Sequence, residues 1–203
     1  MIDWEAQWAL HSPGYQDGYL PLKLPSAKQT LRLKAGPGFG DLSHPTTNLV
    51  IQLMPPFIKG ADVLDIGCGS GILSLAAAAL GAASVYGVDI EIDAIVHSQR
   101  NAELNNLQVH FALPADYLKE KKPSPTVVLM NMIESEQIIA WNSLKPIHSA
   151  VKTAIISGIL AKDKEKYLTL VSSWDWSLAK ELQEGEWFGG VFLNRSHLLS
   201  SKS

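Results

Sequence analysis

The 203 residues are enough for one sizeable α/β domain and too few for two, so we expect a single domain over residues 1–203. A formal net charge of −3 gives no bulk attraction to nucleic acid, and no direct nucleic-acid partner is expected. No apolar run approaches the ~20 residues that cross a bilayer, and the N-terminus lacks a secretory signal pattern. We therefore expect a soluble cytoplasmic protein without a membrane partner.

The single cysteine and the six histidines restrict the redox and metal chemistry open to the chain. One cysteine, Cys68, excludes an internal disulfide and suits a reducing compartment. Its place among glycines indicates a small loop filler rather than a nucleophile. The histidines are scattered, without a second ligand at metal-binding spacing, so no metal site is expected.

Residues 1–45 are predicted to form an N-terminal helix, a small hairpin and a gate-like loop. The helix covers residues 3–10, where two tryptophans lie one turn apart and are expected to pack onto the core. Alternating apolar and polar residues predict the hairpin strands at 19–24 and 30–34. The gate loop, residues 35–47, follows them.

Residues 46–203 are predicted to be the core. It opens with a helix over 47–54, with Pro45 near its start and Pro55-Pro56 closing it. From residue 62 strands and helices alternate, which predicts a parallel sheet with right-handed crossovers. The strands are placed at 62–66, 84–89, 107–111, 126–131 and 151–157. The helices are placed near 71–80, 91–105, 134–144 and 162–173.

Two last strands, at 176–183 and 186–194, meet across Glu184-Gly185, which is a hairpin signal. Five parallel strands followed by an antiparallel hairpin give a seven-stranded, mostly parallel sheet with helices on both faces. The predicted fold class is therefore α/β and Rossmann-like.

Three glycines and two acids occur where two neighbouring parallel strands are expected to end. Gly67, Gly69 and Gly71 join the first strand to its helix, with Asp65 just before them, and Asp89 ends the second strand. Such glycines let a nucleotide-like cofactor approach the backbone, and an acid one strand later can accept both ribose hydroxyls. An alternative for Asp65 is that it caps a helix or anchors the loop.

The spacing of the glycines favours one cofactor. A dinucleotide fingerprint places its third glycine three residues after the second, where a pyrophosphate meets the helix N-terminus. That position is Ile72 here. Gly-x-Gly-x-Gly preceded by an acid instead resembles the S-adenosylmethionine (SAM) loop of the class I methyltransferases, and SAM carries no phosphate.

Two polar residues after later strands complete the predicted site. Asn131 ends the fourth strand, where its amide can face the ligand crevice and align an acceptor amine, and we predict a catalytic role for it. Capping of the following helix is a compatible alternative. Asp116, after the third strand, either hydrogen-bonds an adenine amino group or lies in a surface turn.

With these segments together, the chain resembles the ribosomal protein L-eleven methyltransferase (PrmA-type) family. Gly36-Pro-Gly-Phe-Gly-Asp-Leu-Ser-His-Pro-Thr-Thr47 is similar to the family's Pro-Gly-x-Ala-Phe-Gly-Thr-Gly-x-His-x-Thr-Thr. The other similar segments are Trp4-Glu-x-x-Trp8, Gly67-Cys-Gly-Ser-Gly-Ile-Leu73, Gly87-Val-Asp-Ile90, Asn131-Met-Ile133, Ser157-Gly-Ile-Leu160 and Gly185-Glu-Trp187. The likeness covers nearly the whole chain, in the family order.

The resemblance implies a class I methyltransferase fold and SAM as cofactor. It implies SAM contacts from Thr46, Gly67, Asp89 and Asn131. Phe39 in the gate loop and Ile90 after the ribose acid are added to this predicted cofactor set. Members of the family methylate lysine side chains and an N-terminal amine of one ribosomal protein.

The chain departs from the family pattern at three places. An additional N-terminal domain, which grips the ribosomal protein in the family, has no counterpart before Trp4. The gate loop reads Gly40-Asp-Leu-Ser and so adds an acid, Asp41. Met132-Ile-Glu134 places a carboxylate near the acceptor slot, where the family usually has small or apolar residues.

We therefore interpret the chain as the catalytic domain of a SAM-dependent N-methyltransferase. The predicted acceptor is a protein amine, either a lysine side chain or an N-terminus, and a ribosomal protein is one such partner. One alternative is a methyltransferase for a small amine or another small molecule. The other is a SAM-binding subunit that is not itself catalytic.

Overall fold

The computed structural model describes residues 2–12, 14–24, 27 and 29–200; for residues 198–200 it describes the backbone alone. In these ranges the helices are α1 (Trp4–His11), α2 (Pro45–Leu53), α3 (Pro55–Ile58), α4 (Ile72–Ala79), α5 (Ile92–Leu104), α6 (Pro114–Tyr117), α7 (Glu134–Ser143), α8 (Lys164–Ser172) and α9 (Arg195–Ser200). The strands are β1 (Leu20–Leu22), β2 (Leu31–Leu33), β3 (Asp62–Ile66), β4 (Ser84–Val88), β5 (His110–Ala112), β6 (Val127–Asn131), β7 (Thr153–Leu160), β8 (Trp176–Glu184) and β9 (Trp187–Asn194). Short 3-10 helices cover Lys145–Ile147 and Ala161–Asp163.

A seven-stranded sheet in the order β5-β4-β3-β6-β7-β9-β8 forms the centre of the molecule. Strands β3 to β7 pair in parallel, whereas β9 is antiparallel to both β7 and β8. Successive residues of β3 point to opposite faces, and Val63 and Leu64 belong to two different clusters of buried side chains. Both faces are therefore covered, and the predicted seven-stranded sheet with its C-terminal hairpin is confirmed.

Several element boundaries differ from the predicted ones for local reasons. Helix α2 begins at Pro45, because the ring of His44 accepts the N–H of Thr46 as an N-cap and proline is tolerated in a first turn. Pro55 follows the end of α2 and opens the short helix α3, because proline is tolerated in a first turn. Strand β7 continues to Leu160 beyond an irregularity in its pairing with β9, and Gly158 there has φ +93°.

The N-terminal elements pack onto the core rather than forming a separate body. Strands β1 and β2 pair as an antiparallel hairpin, and Leu20, Leu31 and Leu33 on them are fully buried. Trp8 on α1 is buried in the same cluster, as expected, whereas Trp4 is half-buried. Both strands are shorter than predicted, at three residues each.

No helix in the described part of the chain combines the length and the apolar composition that crossing a membrane requires.

Candidate functional site

A cleft of about 1080 Å³ opens at the carboxyl ends of β3, β4, β5 and β6. Parallel strands end at one edge of a sheet, so the loops after them meet there and can hold one ligand. The cleft is lined by seven of the residues predicted to bind cofactor or to act in catalysis, namely Phe39, Thr46, Gly67, Gly69, Asp89, Ile90 and Asn131.

The glycine loop (residues 67–71) and the acid after β4, Asp89, are fixed to each other. The backbone N–H of Gly69 donates to Asp89 Oδ2 at 2.9 Å, and the N–H of Glu91 donates to Asp89 Oδ1 at 3.0 Å. Gly67 and Gly69 have φ values of +73° and +54°, in the left-handed region that glycine adopts without strain. Two backbone donors therefore orient the Asp89 carboxylate at the cleft wall and leave further acceptor capacity on its oxygens.

Asp65 lies beneath the glycine loop and does not line the cleft. Its side chain is 1 % exposed, and its Oδ2 accepts the N–H of Ser74 at 3.0 Å and the hydroxyl of Ser74 at 2.6 Å. Burial raises the pKa of this carboxyl to about 7, although the two bonds from Ser74 oppose the shift. These contacts match the alternative reading of Asp65, an anchor between the loop and α4.

Gly71 and Asp116 also lie outside the lining of the cleft. Gly71 is the N-cap of α4 with φ +82°, and a Cβ there would lie 2.9 Å from the Cβ of Ser98, so the glycine allows α4 and α5 to approach closely. Asp116 has a side chain that is 56 % exposed and pairs with Lys119 at 2.9 Å. It lies in the short helix α6 with an exposed side chain, which agrees with the alternative of a surface position but not with the expected turn.

The wall at the end of β5 is instead formed by the three residues before Asp116. Leu113, Pro114 and Ala115 line the cleft, facing it together with Ile90. Sequence reasoning missed them because it searched for polar partners of an adenine ring, whereas apolar side chains also bind a flat ring by contact alone.

Asn131 ends β6 inside the cleft, with one half of its amide paired and the other half free among the described residues. Its Nδ2 donates to Thr47 Oγ1 at 3.1 Å, while its Oδ1 is buried and receives no hydrogen bond there. The alternative that Asn131 caps α7 does not match the structure, in which Ile133 is the N-cap residue and makes no side-chain bond. A buried acceptor without a donor is costly and marks a place where a ligand can donate.

The segment after Asn131 is held from below by a buried glutamine. Gln137 on α7 donates from Nε2 to Met132 O at 2.7 Å and to Ser157 O at 3.0 Å, and the hydroxyl of Tyr167 donates to its Oε1. Gly158 completes the support, because a Cβ on it would lie 2.2 Å from Met132 O. These contacts fix the direction in which Asn131 leaves the strand.

Three aromatic rings line the cleft beside the glycine loop. The His44 ring lies 4.6 Å from that of Trp187 and 5.8 Å from that of Phe39, centroid to centroid, with edge-to-face geometry. His44 Nδ1 also lies 2.8 Å from the hydroxyl of Thr46. Sequence reasoning gave His44 and Trp187 no role, although both fall within the family segments already noted.

The charged side chains that line the cleft are all acidic. They are Asp89, Glu91, Asp93 and Glu136, and no lysine or arginine joins them among the described residues. Glu134, expected near the acceptor slot, pairs instead with Lys166 at 2.8 Å, and Glu136 one half-turn later faces the cleft. An acidic cleft favours cationic ligands.

Cys68 and the histidines show no sign of nucleophilic or metal chemistry in the described ranges. Burial raises the pKa of the Cys68 thiol, which keeps it protonated. No group of three or more histidine, cysteine or acidic side chains comes together there as a metal site.

Comparisons with known proteins identify the family of the chain. A family model described as "Ribosomal protein L11 methyltransferase (PrmA)" matches residues 19–194. Proteins with that name from Chromobacterium violaceum and Dictyoglomus turgidum are 40 % and 31 % identical over 150 and 201 residues, which are 71 % and 95 % of this chain and 48 % and 67 % of theirs. The chain thus spans about half the length of the first of these relatives.

A similar fold occurs in the crystal structure of a ribosomal protein L11 methylase from Lactobacillus delbrueckii subsp. bulgaricus. The TM-score is 0.67 at 23 % identity, covering 81 % of this chain and 85 % of that one. This likeness concerns the fold, while the family model covers most of the sequence. The chain belongs to the ribosomal protein L11 methyltransferase (PrmA) family.

Proposed function

We propose that the chain is a SAM-dependent methyltransferase that transfers a methyl group to a protein amine. The observation that carries the proposal is the buried Asn131 Oδ1, which has no donor among the described residues and belongs to a side chain lining the same cleft as the glycine loop and Asp89. A cofactor site and an acceptor for an N–H group therefore share one cleft.

The cofactor side of the cleft fits the groups of SAM. Asp89 would accept the ribose hydroxyls, and Gly67 with Gly69 would let the methionine part lie against the backbone. Ile90 and the wall at residues 113–115 would pack on the adenine. Phe39 and Thr46 belong to the predicted set as well, since the gate loop and the first turn of α2 line the cleft beside the glycine loop.

SAM supplies an electrophilic methyl group on a sulfonium, so the protein needs mainly to align the acceptor. The acceptor nitrogen must be neutral, since its lone pair forms the new bond while the sulfur keeps the electrons of the broken one. Asn131 Oδ1 would accept one N–H of the amine and turn the lone pair toward the methyl carbon. Positive charge passes from sulfur to nitrogen, and the acidic cleft tolerates it at either atom.

We propose a ribosomal protein as the acceptor, in view of the names of the relatives. The four acidic side chains of the lining support a basic partner, because lysine-rich segments are attracted to such a cleft. The small-amine alternative predicts methyl label on small molecules. The non-catalytic alternative predicts SAM binding without labelled protein.

The cofactor assignment is tested by calorimetric titration of SAM into matched variants. Asp89→Ala removes the proposed ribose acceptor, and we expect SAM binding to fall by at least about 100-fold, since two hydrogen bonds to a charged group are lost. Asp116→Ala removes an equally acidic residue outside the cleft and should bind as the unaltered chain does. An unchanged affinity of Asp89→Ala for SAM would contradict the assignment of SAM as the cofactor.

A further inference from the structure

Helix α5 and its C-cap residue carry three buried polar side chains spaced four residues apart. His97, Asn101 and Asn105 are 4 %, 0 % and 9 % exposed. Residues four apart on a helix lie above one another, so the three form a straight row, here called the α5 ladder. The ladder faces the backbone of the N-terminal segment rather than the main sheet.

The far end of the ladder binds the hairpin and, through Asn101 O at 2.7 Å, its own helix. Asn105 Oδ1 accepts the N–H of Arg32 at 2.8 Å, and its Nδ2 donates to Arg32 O at 2.7 Å. The amide thus pairs with both backbone groups of one β2 residue, as a neighbouring strand would. Among the described residues Asn105 makes no hydrogen bond to the glycine loop, so its contribution is to hold β2 in place.

The middle of the ladder joins two parts of the proposed cofactor site. Asn101 Oδ1 accepts the N–H of Lys34, the residue just before the gate loop, at 2.9 Å. Its Nδ2 donates to Ser70 O in the glycine loop at 2.9 Å. One side chain therefore sets the distance between the two loops.

Ser70 returns the connection to the gate loop from the other side. Its N–H donates to Phe39 O at 2.8 Å, and its hydroxyl donates to Gly40 O at 3.0 Å. The contact is close, because a Cβ on Gly38 would lie 2.4 Å from the carbonyl carbon of Gly69. The gate loop therefore rests directly on the glycine loop.

The third member of the ladder fixes the gate loop on its other flank. His97 Nδ1 accepts the N–H of Gly38 at 3.2 Å, and its Nε2 lies 2.8 Å from Lys34 O, which requires the proton on Nε2. Burial lowers the pKa of His97, so the ring is neutral and keeps Nδ1 free to accept. Trp8 on α1 covers the ring edge-to-face at 5.9 Å.

We infer that Asn101, Ser70 and His97 are positioning residues that hold the gate loop at a fixed height over the glycine loop and thereby set the affinity for SAM. None of the three lines the cleft itself. They act through Pro37, Gly38 and Phe39, which do line the cleft. This inference rests on the proposed SAM-binding function.

The test compares two asparagines of the same helix by calorimetric titration of SAM. Asn101→Ala should weaken SAM binding about tenfold, because loss of one coupling hydrogen bond at each loop releases the gate. Asn105→Ala removes the two bonds to Arg32 of the hairpin but none to the glycine loop, so its affinity should stay within about twofold. Ser70→Ala removes only the bond from the Ser70 hydroxyl to Gly40 O. This second variant should weaken SAM binding about threefold.

Amide hydrogen exchange provides a readout that a general loss of stability would not give. Asn101→Ala should speed exchange at the N–H groups of Gly38 and Ser70, whereas Asn105→Ala should speed it at Arg32 alone. Equal loss of affinity in both asparagine variants, or no loss in Asn101→Ala, would overturn the inference. If Asn101→Ala does not fold, unchanged affinity in Ser70→Ala overturns it. Failure of the unaltered chain to bind SAM would overturn the proposed function first.

Discussion

At the scale of single residues, two acids that look equivalent in the sequence have different roles in the structure. Asp65 and Asp89 both flank the glycine loop, but Asp65 is buried against Ser74 while Asp89 lines the cleft. The sequence predicts the second role from the strand that Asp89 ends. It leaves two readings open for Asp65, because the direction of a side chain at a strand end depends on the turn that follows.

The buried Asp65 should make stability depend on pH. Its folded pKa of about 7 lies above the ordinary 3.8, so the folded chain binds this proton more tightly than the unfolded chain does. The stabilisation is therefore complete below pH 4 and is lost as the pH rises to 7, at about 1.4 kcal/mol for each pKa unit.

Urea unfolding between pH 4 and 8 measures this dependence. Relative to Asp65→Asn, which stays uncharged, the free energy of unfolding of the unaltered chain should fall as pH rises through that window. The lowered pKa of the buried His97 acts in the opposite direction in both chains. A decline of the same slope in Asp65→Asn would assign it to other groups.

Asn131 is the residue on which methyl transfer should depend most. Asn131→Ala removes the proposed acceptor for the amine, and we expect the rate of transfer to fall roughly 100-fold, the lower range for loss of a positioned polar group. Thr47→Val removes only the bond that holds the amide and should cost less. Single-turnover rates at saturating SAM measure both, and an unchanged rate in Asn131→Ala would exclude the assigned role.

At the scale of elements, the parallel strands and the gate loop were predictable to different degrees. Strands β3, β4 and β6 agree with prediction within one residue, because buried parallel strands are continuous apolar runs ended by glycine or a polar residue. Strand β5 begins three residues late, at His110. The resting place of the gate loop on the glycine loop depends on distant contacts such as Asn101 to Ser70, and no local pattern indicates it.

The network around Gln137 should be the most sensitive link between α7, β7 and α8. Gln137→Leu leaves Met132 O and Ser157 O without their donor, and Tyr167 without its acceptor. Buried groups left unpaired cost about 1–3 kcal/mol each, so we expect a loss of at least about 2 kcal/mol in urea unfolding. Ser143→Ala on the exposed face of the same helix should change stability by under about 0.5 kcal/mol. Equal stability of the two variants would contradict the network's importance.

At the scale of the whole molecule, we propose that the N-terminal segment and the core form one folding unit. Trp8, Leu20 and Leu31 share a single buried cluster with Val50 and Leu75 of the core. The five parallel strands were predictable from the alternation of strands and helices, and the C-terminal hairpin from Glu184-Gly185. The docking of the N-terminal hairpin onto α5 was not, since it relies on the polar side chain of the C-cap residue Asn105.

A single cooperative unfolding transition should follow from this shared cluster. The chain has six tryptophans, so the fluorescence of Trp8 is taken as the difference between the unaltered chain and Trp8→Phe. Its thermal transition should coincide with the transition observed by circular dichroism of the helices. An earlier fluorescence transition that leaves the circular dichroism unchanged would show that the N-terminal segment unfolds separately.

Methyl transfer to a protein is the measurement that tests the central claim most directly. The unaltered chain and Asn131→Ala are incubated with methyl-labelled SAM and with the recombinant, unmethylated ribosomal protein after which the family is named, and the products are mapped by mass spectrometry. We predict label on lysine side chains or the N-terminal amine, greatly reduced with Asn131→Ala. Intact SAM binding without any labelled protein, even when a cell extract is added, would contradict the claim, and label confined to small molecules would replace it.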